Sequence, residues 1–418
     1  MAELWTAEIR KKLATWADIL AVAIAVSLPW STSATAILVG VWFFILVPVL
    51  RWDELRRDIL TPAGGLPVLL VLLGLAGMLW TDVTLLERWK GLDSFLKLLA
   101  IPLLFAQFRQ SHRGDWVFAG YLFSCVALLA TSFVVLAIPA LAERFMRIDH
   151  VIVKNAATQS GEFVTCIFGL LYLVAGASKL GAWPSLPGAV LMIFAMLVSI
   201  VYVATGRTAL VVFIVLLVLF AARMFRPAVF AMAMAGTVLV GALAWVSSPY
   251  LRARTTSIGW DLQQYASDMT VTSSGERLVF WTKSIEFIQQ APLVGHGTGS
   301  IHGLFEKSAV GKTGAAGEAS TNPHNQMFAV GIQLGFAGIF LLWAMWIAHL
   351  LMFRGSGLAE WIGLIVVVQN IVGSLFNSHL FDFTQGWTYV VGVGVAGGMV
   401  INRGSLTTTK PERNSVPT

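Results

Sequence analysis

Apolar residues fall in long runs along this chain, and twelve runs are of spanning or near-spanning length for a bilayer. They cover residues 13–30, 34–50, 66–80, 94–108, 116–139, 163–177, 188–205, 209–222, 228–246, 325–353, 358–375 and 387–401. Runs of this kind predict helices, because a segment in lipid has to satisfy its own backbone hydrogen bonds. The longest polar interruption is 249–323, about 75 residues and too long for a plain connector. The pattern predicts an all-α polytopic membrane protein of about twelve transmembrane helices. Helices one to nine lie within 1–248, a large loop at 249–323, helices ten to twelve within 324–402, and a disordered tail at 403–418.

The loop carries its own helix signals. Ser273 and Ser274 are able to cap, and Glu276 falls in the first turn, where a negative charge suits the helix dipole. Leu278, Trp281, Ile285 and Ile288 then recur at helical spacing until Pro292 closes the segment. This predicts an amphipathic helix on the membrane surface or over a cavity. Arg277 sits in its first turn, where free backbone N–H groups also favour anions. The glycines of 292–300 predict a flexible turn, without the strand that a nucleotide-binding loop needs. The Gly/Ala-rich stretch 311–320 reads as a gate or as a flexible linker.

Composition agrees with the class. The chain is 57% hydrophobic and only 12% charged, against about a quarter charged in soluble domains, and its mean hydropathy is +0.77. Sixteen tryptophans suit interfacial belts. Cys125 and Cys166 both lie in apolar runs, so no disulfide framework is implied. A net charge of +6 does not point to nucleic acid here, because basic residues of membrane proteins first report topology. Arg10–Lys12 precede the first run; Arg51, Arg56 and Arg57 follow the second, Arg109 and Arg113 the fourth, Arg223 and Arg226 the eighth, Arg354 the tenth, and Arg403 the last. Both termini and these loops are thereby expected in the cytoplasm. Ala34-Thr35-Ala36 has the form of a signal-peptide cleavage site, but cleavage there would cut into the second run.

Against that bias, Arg88, Lys90, Lys97, Arg144, Arg147, Lys154 and Arg207 fall on the outer side, with Arg277 and Lys283 in the long loop. Basic groups kept outside suggest an anionic ligand; solvated charges offset by nearby acids are the plainer alternative. Arg207 is the sharpest of them. It stands in Ala204-Thr205-Gly206-Arg207-Thr208 with almost no loop around it, and a charge so near hydrocarbon needs a partner, water or a function. The other sharp signal is His324-Asn325 at the start of a long apolar run, followed after nine residues by Gly335-Phe336-Ala337-Gly338. On one continuous helix His324, Gly331, Gly335 and Gly338 would share a face, and Gly331/Gly335 would form a GxxxG pair for a neighbouring helix.

These residues resemble the signatures of the bacterial O-antigen ligases: His324-Asn325 with Gly335-x-x-Gly338, Thr205–Thr208 around Arg207, Arg277 in its capped helix, and the Pro-Leu-x-Gly-His-Gly turn. The architecture of many spans with a long outer loop before the His-bearing helix is similar too. The resemblance implies a membrane-embedded (GT-C-like) glycosyltransferase. Such an enzyme moves O-antigen polysaccharide from undecaprenyl diphosphate to the outer-core sugar of lipid A–core, on the periplasmic face of the inner membrane. His324 would be the catalytic base, Arg207, Arg277 and Arg88 would bind the donor diphosphate, and Asn325 and Asp382 would bind the acceptor or orient His324. No cofactor is implied. There is no Asp-x-Asp motif, and His296, His302 and His324 lack helical ligand spacing, so metal-independent inverting transfer is expected. An O-antigen polymerase or a protein O-oligosaccharyltransferase would use the same donor. A lipid-linked glycan flippase or transporter is the non-enzyme alternative; such proteins show Gly/Pro-interrupted helices in matching halves, and the glycines at 392, 394, 397 and 398 of the last run have no obvious partner in the first half.

Overall fold

The computed structural model describes residues 2–145, 151–180, 186–253, 255–256 and 273–408, and among these there is no strand. The helices are α1 (Ala2–Ser27), α2 (Thr32–Leu46), α3 (Trp52–Ile59), α4 (Pro62–Gly77), α5 (Leu85–Leu96), α6 (Ala100–Gln110), α7 (Gly114–Ala137), α8 (Pro139–Phe145) and α9 (Ala156–Leu180). They continue with α10 (Leu186–Val198), α11 (Arg207–Met224), α12 (Pro227–Ser247), α13 (Ser273–Gln290), α14 (Ser300–Ala309), α15 (Gln326–Met352), α16 (Leu358–Ser374) and α17 (Phe383–Thr408). Each of the twelve apolar runs falls on a helix. By length and composition, eight described helical stretches are able to cross a membrane, and α3 with α4, bent by 83° at their junction, makes a ninth. The twelve apolar runs are thus helical, and among the described residues a smaller number meets the full spanning test. The chain is a polytopic, all-helical membrane protein.

Helix starts are chemically marked. Ser31 and Thr61 accept from the N–H groups of Ala34 and Gly64, and Thr84 forms a reciprocal capping box with Glu87. The periphery is apolar outward: the spanning window of α12 buries none of its residues, as expected of a lipid-facing helix. The core lies among α4, α6, α9, α15, α16 and α17. There the glycines of α17 allow close packing. A Cβ at Gly394 would come within 2.6 Å of the Leu104 side chain, and one at Gly398 within 2.7 Å of that of Phe108. The glycine run of the last span is thus a contact face for α6, which accounts for it without a broken transport helix.

Three sequence expectations change. The apolar stripe of α13 is rotated: Leu278 and Ile285 are exposed, whereas Phe280, Phe287 and Ile288 pack with Ile301, Phe305, Ala329 and Ile332. The buried face includes Lys283, whose amine donates to the Ala316 carbonyl at 2.7 Å, so a polar position hid it from the periodicity. The last helix runs on to Thr408, past the expected start of a disordered tail at 403; residues 409–418, and with them most of that tail, lie outside the described residues, as do Arg147 and Arg254.

The third change concerns α15. It is not one continuous helix, because Gly335 has φ 59° and ψ −158°, a backbone conformation open in practice only to glycine. The turn at 292–299 fills the break. His296 and Gly297 N–H donate to the carbonyls of Ile332 and Gln333, both at 2.9 Å, while Phe336 and Ala337 N–H donate to Pro292 and Leu293 at 2.7 and 3.1 Å. Gly295, Gly297 and Gly299 all take positive φ there. Far from being loose, this turn is pinned: Thr298 N–H also reaches the Gly77 carbonyl at the end of α4 at 3.0 Å. Gly335 therefore serves a loop, not a neighbouring helix. His324 precedes the cap, and Gly338 follows the break, so neither continues the arc of Gly331.

Candidate active site

The break between α10 and α11 is built to present Arg207. Residues Ser199–Val203 widen into a single π-turn, a feature common at functional sites. Thr205 Oγ1 donates to the Ile200 carbonyl at 2.6 Å, and Gly206 N–H donates to Ser160 Oγ at 3.0 Å. A Cβ at Gly206 would lie 2.8 Å from Ala157 Cα, so glycine is what lets this corner sit on α9. Arg207 is then the first residue of α11.

Arg207 and Arg277 line one cavity of about 240 Å³, together with Thr208, Asn377, His379 and Asp382. The first turns of α9 and α11 line it as well, so two positive helix ends join two guanidinium groups. Arg277 is half-buried. Its proton affinity is lowered by burial and then by the charge of Arg207, with Glu276 opposing. A cavity that holds two mutually repelling cations suits a ligand with more than one negative charge.

His324 adjoins this wall through Asn377. It follows Pro323 with φ 54°, a left-handed conformation rare outside glycine. Its backbone N–H donates to Asn322 Oδ1 at 2.9 Å, and its Nδ1 lies 3.0 Å from Asn377 Oδ1. The ring stacks on Phe280, centroids 6.2 Å apart and planes 16° from parallel. Burial lowers its pKa below the ordinary 6.5, opposed by the bond to Asn377 and reinforced by Arg277. The imidazole is therefore neutral near pH 7, as a base has to be.

The other sequence candidates are placed differently. Asn325 caps α15: its Oδ1 accepts from Met327 and Phe328 N–H at 2.9 and 3.3 Å, and its Nδ2 donates to the Leu375 carbonyl at 3.1 Å. It holds the α15 start against the α16 end, and the partner of the His324 ring is Asn377. Asp382 lines the cationic cavity and accepts from Gln385 N–H at 3.0 Å at the start of α17. Arg88 is not brought to the cavity. Its guanidinium donates to the carbonyls of Met78, Thr81 and Val83 at 2.8, 2.8 and 3.0 Å, tying up the end of α4. Lys97 likewise donates to the carbonyls of Phe381 and Asp382, and Lys154 pairs with Glu162 at 3.5 Å. Arg88, Lys97 and Lys154 are thus bonded to other parts of the fold, and Arg207 and Arg277 line a cavity.

The three loop histidines do not converge. His296 Nε2 bonds the Phe287 carbonyl at 2.8 Å, and His302 stands 4.0 Å from Glu87. His302, Glu87 and Lys90 line a second cavity of about 510 Å³ with Asn322, Ser378 and Asp382. Asp382 belongs to both cavities. Sequence reasoning missed Asn322, Asn377, Ser378 and His379. Their signal was present as a polar cluster, Asn377-Ser378-His379, between two apolar runs.

The chain is thus a polytopic membrane protein in which Arg207, Arg277 and Asp382 line one cavity and Asn377 joins its wall to His324. The O-antigen ligase family model (Wzy_C) matches residues 188–343, a stretch that holds Arg207, Arg277 and His324. Over that stretch the chain is similar to the O-antigen ligase family. No curated protein matches it.

Proposed function

We propose that this protein transfers a preassembled glycan from undecaprenyl diphosphate to the outer-core sugar of lipid A–core, on the periplasmic side of the inner membrane, with both termini cytoplasmic. The observation that carries the reading is the pairing of Arg207 and Arg277 in one cavity whose wall residue Asn377 also holds His324. The guanidinium groups bind the donor diphosphate by forked, charge-assisted bonds. His324 takes the proton of the acceptor hydroxyl as its oxygen bonds to the anomeric carbon. The bond from that carbon to the diphosphate oxygen breaks on the opposite face, inverting the centre. Negative charge then grows on the leaving diphosphate, where the fixed cations stabilise it.

The experiment is transfer by purified protein in proteoliposomes containing lipid-linked glycan and lipid A–core, with no energy source. His324→Gln is expected to lose about a hundred- to ten-thousandfold in single-turnover rate while donor affinity, measured separately, stays near wild type. Because the unprotonated ring is the active form and burial lowers its pKa, the wild-type rate holds down to a midpoint below 6.5 and falls under it. Normal turnover by His324→Gln removes the base. Lipid-linked chains extended in place of lipid A–core would move the acceptor assignment to a polymerase, and transport without transfer would reject the enzyme reading.

A further inference from the structure

A histidine base needs one ring nitrogen bare, and the bonds around His324 decide which. The main-chain N–H of His324 has no lone pair to offer, so the Asn322 atom it meets at 2.9 Å is the carbonyl oxygen, Oδ1. Ser378 Oγ donates to the same oxygen at 2.7 Å. The amide of Asn322 is thereby fixed, with its NH2 facing an Asn377 atom 2.9 Å away. That atom has to accept, so it is Asn377 Oδ1. It also lies 3.0 Å from His324 Nδ1, and two acceptors do not bond; Nδ1 therefore carries the hydrogen.

We propose that Asn322 and Asn377 form an amide relay that holds His324 in its Nδ1–H tautomer and leaves the lone pair on Nε2. Both are positioning residues, and the functional weight of the relay rests on the reading of His324 as base. An amide suits this place better than the carboxylate that often orients a histidine. It accepts from Nδ1, favouring the imidazolium less than a carboxylate would, and it adds no negative charge beside Arg277. The charged groups acting on the ring are Arg277 and Glu318, and Phe280 lies parallel to it.

Two isosteric variants separate the cases. In Asn322→Asp the carboxylate still accepts from His324 N–H and Ser378 but has no hydrogen for Asn377. Asn377 then turns its amide and presents NH2 both to the new carboxylate and to His324 Nδ1, which inverts the tautomer to Nε2–H. In Asn377→Asp both donors keep their acceptor, so the tautomer is retained. The added charge raises the ring pKa and moves the acid limb of the pH–rate profile upward.

The test is solid-state nitrogen-15 NMR of the full-length, histidine-labelled protein in bilayers, since the two ring nitrogens report protonation directly. The His324 signals are identified by their loss in His324→Gln, and the remaining histidine signals serve as the control for folding. Expected are Nδ1–H in wild type and Asn377→Asp, and Nε2–H in Asn322→Asp with transfer slowed about a hundred- to ten-thousandfold. Nε2–H in wild type or in Asn377→Asp overturns the relay, as does an unchanged tautomer in Asn322→Asp. Should the tautomers follow this order while His324→Gln keeps its turnover, the relay stands and the base assignment falls.

Discussion

At the scale of single residues, the two arginines of the cavity are set apart from the other outer basic groups by their place in its lining. Arg88, Lys97 and Lys283 spend their hydrogens on backbone carbonyls, so their charge holds helices and loops in place. Arg207 and Arg277 line one cavity, the one proposed to take the donor diphosphate. Lysine at either position keeps the charge and loses the planar fork. Arg207→Lys and Arg277→Lys are each expected to weaken donor binding and slow transfer at least about tenfold, the loss of roughly one charge-assisted bond, with expression and membrane insertion unchanged. Donor affinity and single-turnover rate check this, and wild-type values in both lysine variants would remove forked phosphate recognition. Arg207 and His324 stood out in the sequence because each interrupts an apolar pattern at an unusual point, and Arg277 because it falls in the first turn of a capped loop helix. Asn322 did not, since an asparagine in a polar loop looks like any other until the chain closes around it, and Asn377 was marked only by its place in the polar cluster 377–379 between two apolar runs.

At the scale of elements, apolar run length was enough to locate twelve helices, because in lipid the backbone has no alternative partner. The same reasoning failed inside α15. A Gly-x-x-x-Gly spacing reads equally well as a helix contact or as a helix break, and only a positive φ at Gly335 tells them apart. The face of α13 was misread for a related reason: Lys283 and Ser284 are buried through local bonds that hydropathy does not see. The break makes a quantitative prediction. Gly335→Ala forces a side chain into a glycine-only conformation and brings its Cβ within 2.6 Å of the Pro292 carbonyl oxygen. The dihedral strain alone costs about 1–3 kcal/mol, and the turn at 292–299 has to shift besides. A lowered thermal midpoint in detergent and faster proteolysis near residue 295 are expected. Gly40, whose added Cβ meets nothing within 4 Å, is the control, and an equal effect of Gly40→Ala would make the Gly335 result nonspecific.

At the scale of the whole molecule, the site is assembled from parts distant in sequence: the α10–α11 break, the first turn of α13, the approach to α15, and the α16–α17 loop. Order and spacing along the chain could nominate members of this set but could not show that Asn377 joins the cavity to His324, which depends on how α16 and α17 return to the same side. In the proposed reaction, the charge growing on the leaving diphosphate is met by these two guanidinium groups. Transfer is accordingly expected to continue in excess EDTA at close to its untreated rate. Activity lost to chelation and restored by one divalent ion would assign that charge to a metal and leave the arginines an accessory part.

The turn lodged in α15 has a consequence for the order in which the protein is made. Residues 292–297 leave the ribosome before α15 does, yet their partners, the carbonyls of Ile332 and Gln333 and the N–H groups of Phe336 and Ala337, lie in its middle. Nine residues from the helix start is about 14 Å along its axis at 1.5 Å per residue, well below the mouth of the span. Until the turn arrives, a bent α15 would expose those groups to hydrocarbon at several kcal/mol each, so the helix has reason to enter straight and bend only on docking. The turn is thereby expected to act as a latch closed late in biogenesis, with the approach that carries His324 taking its final position when the latch engages.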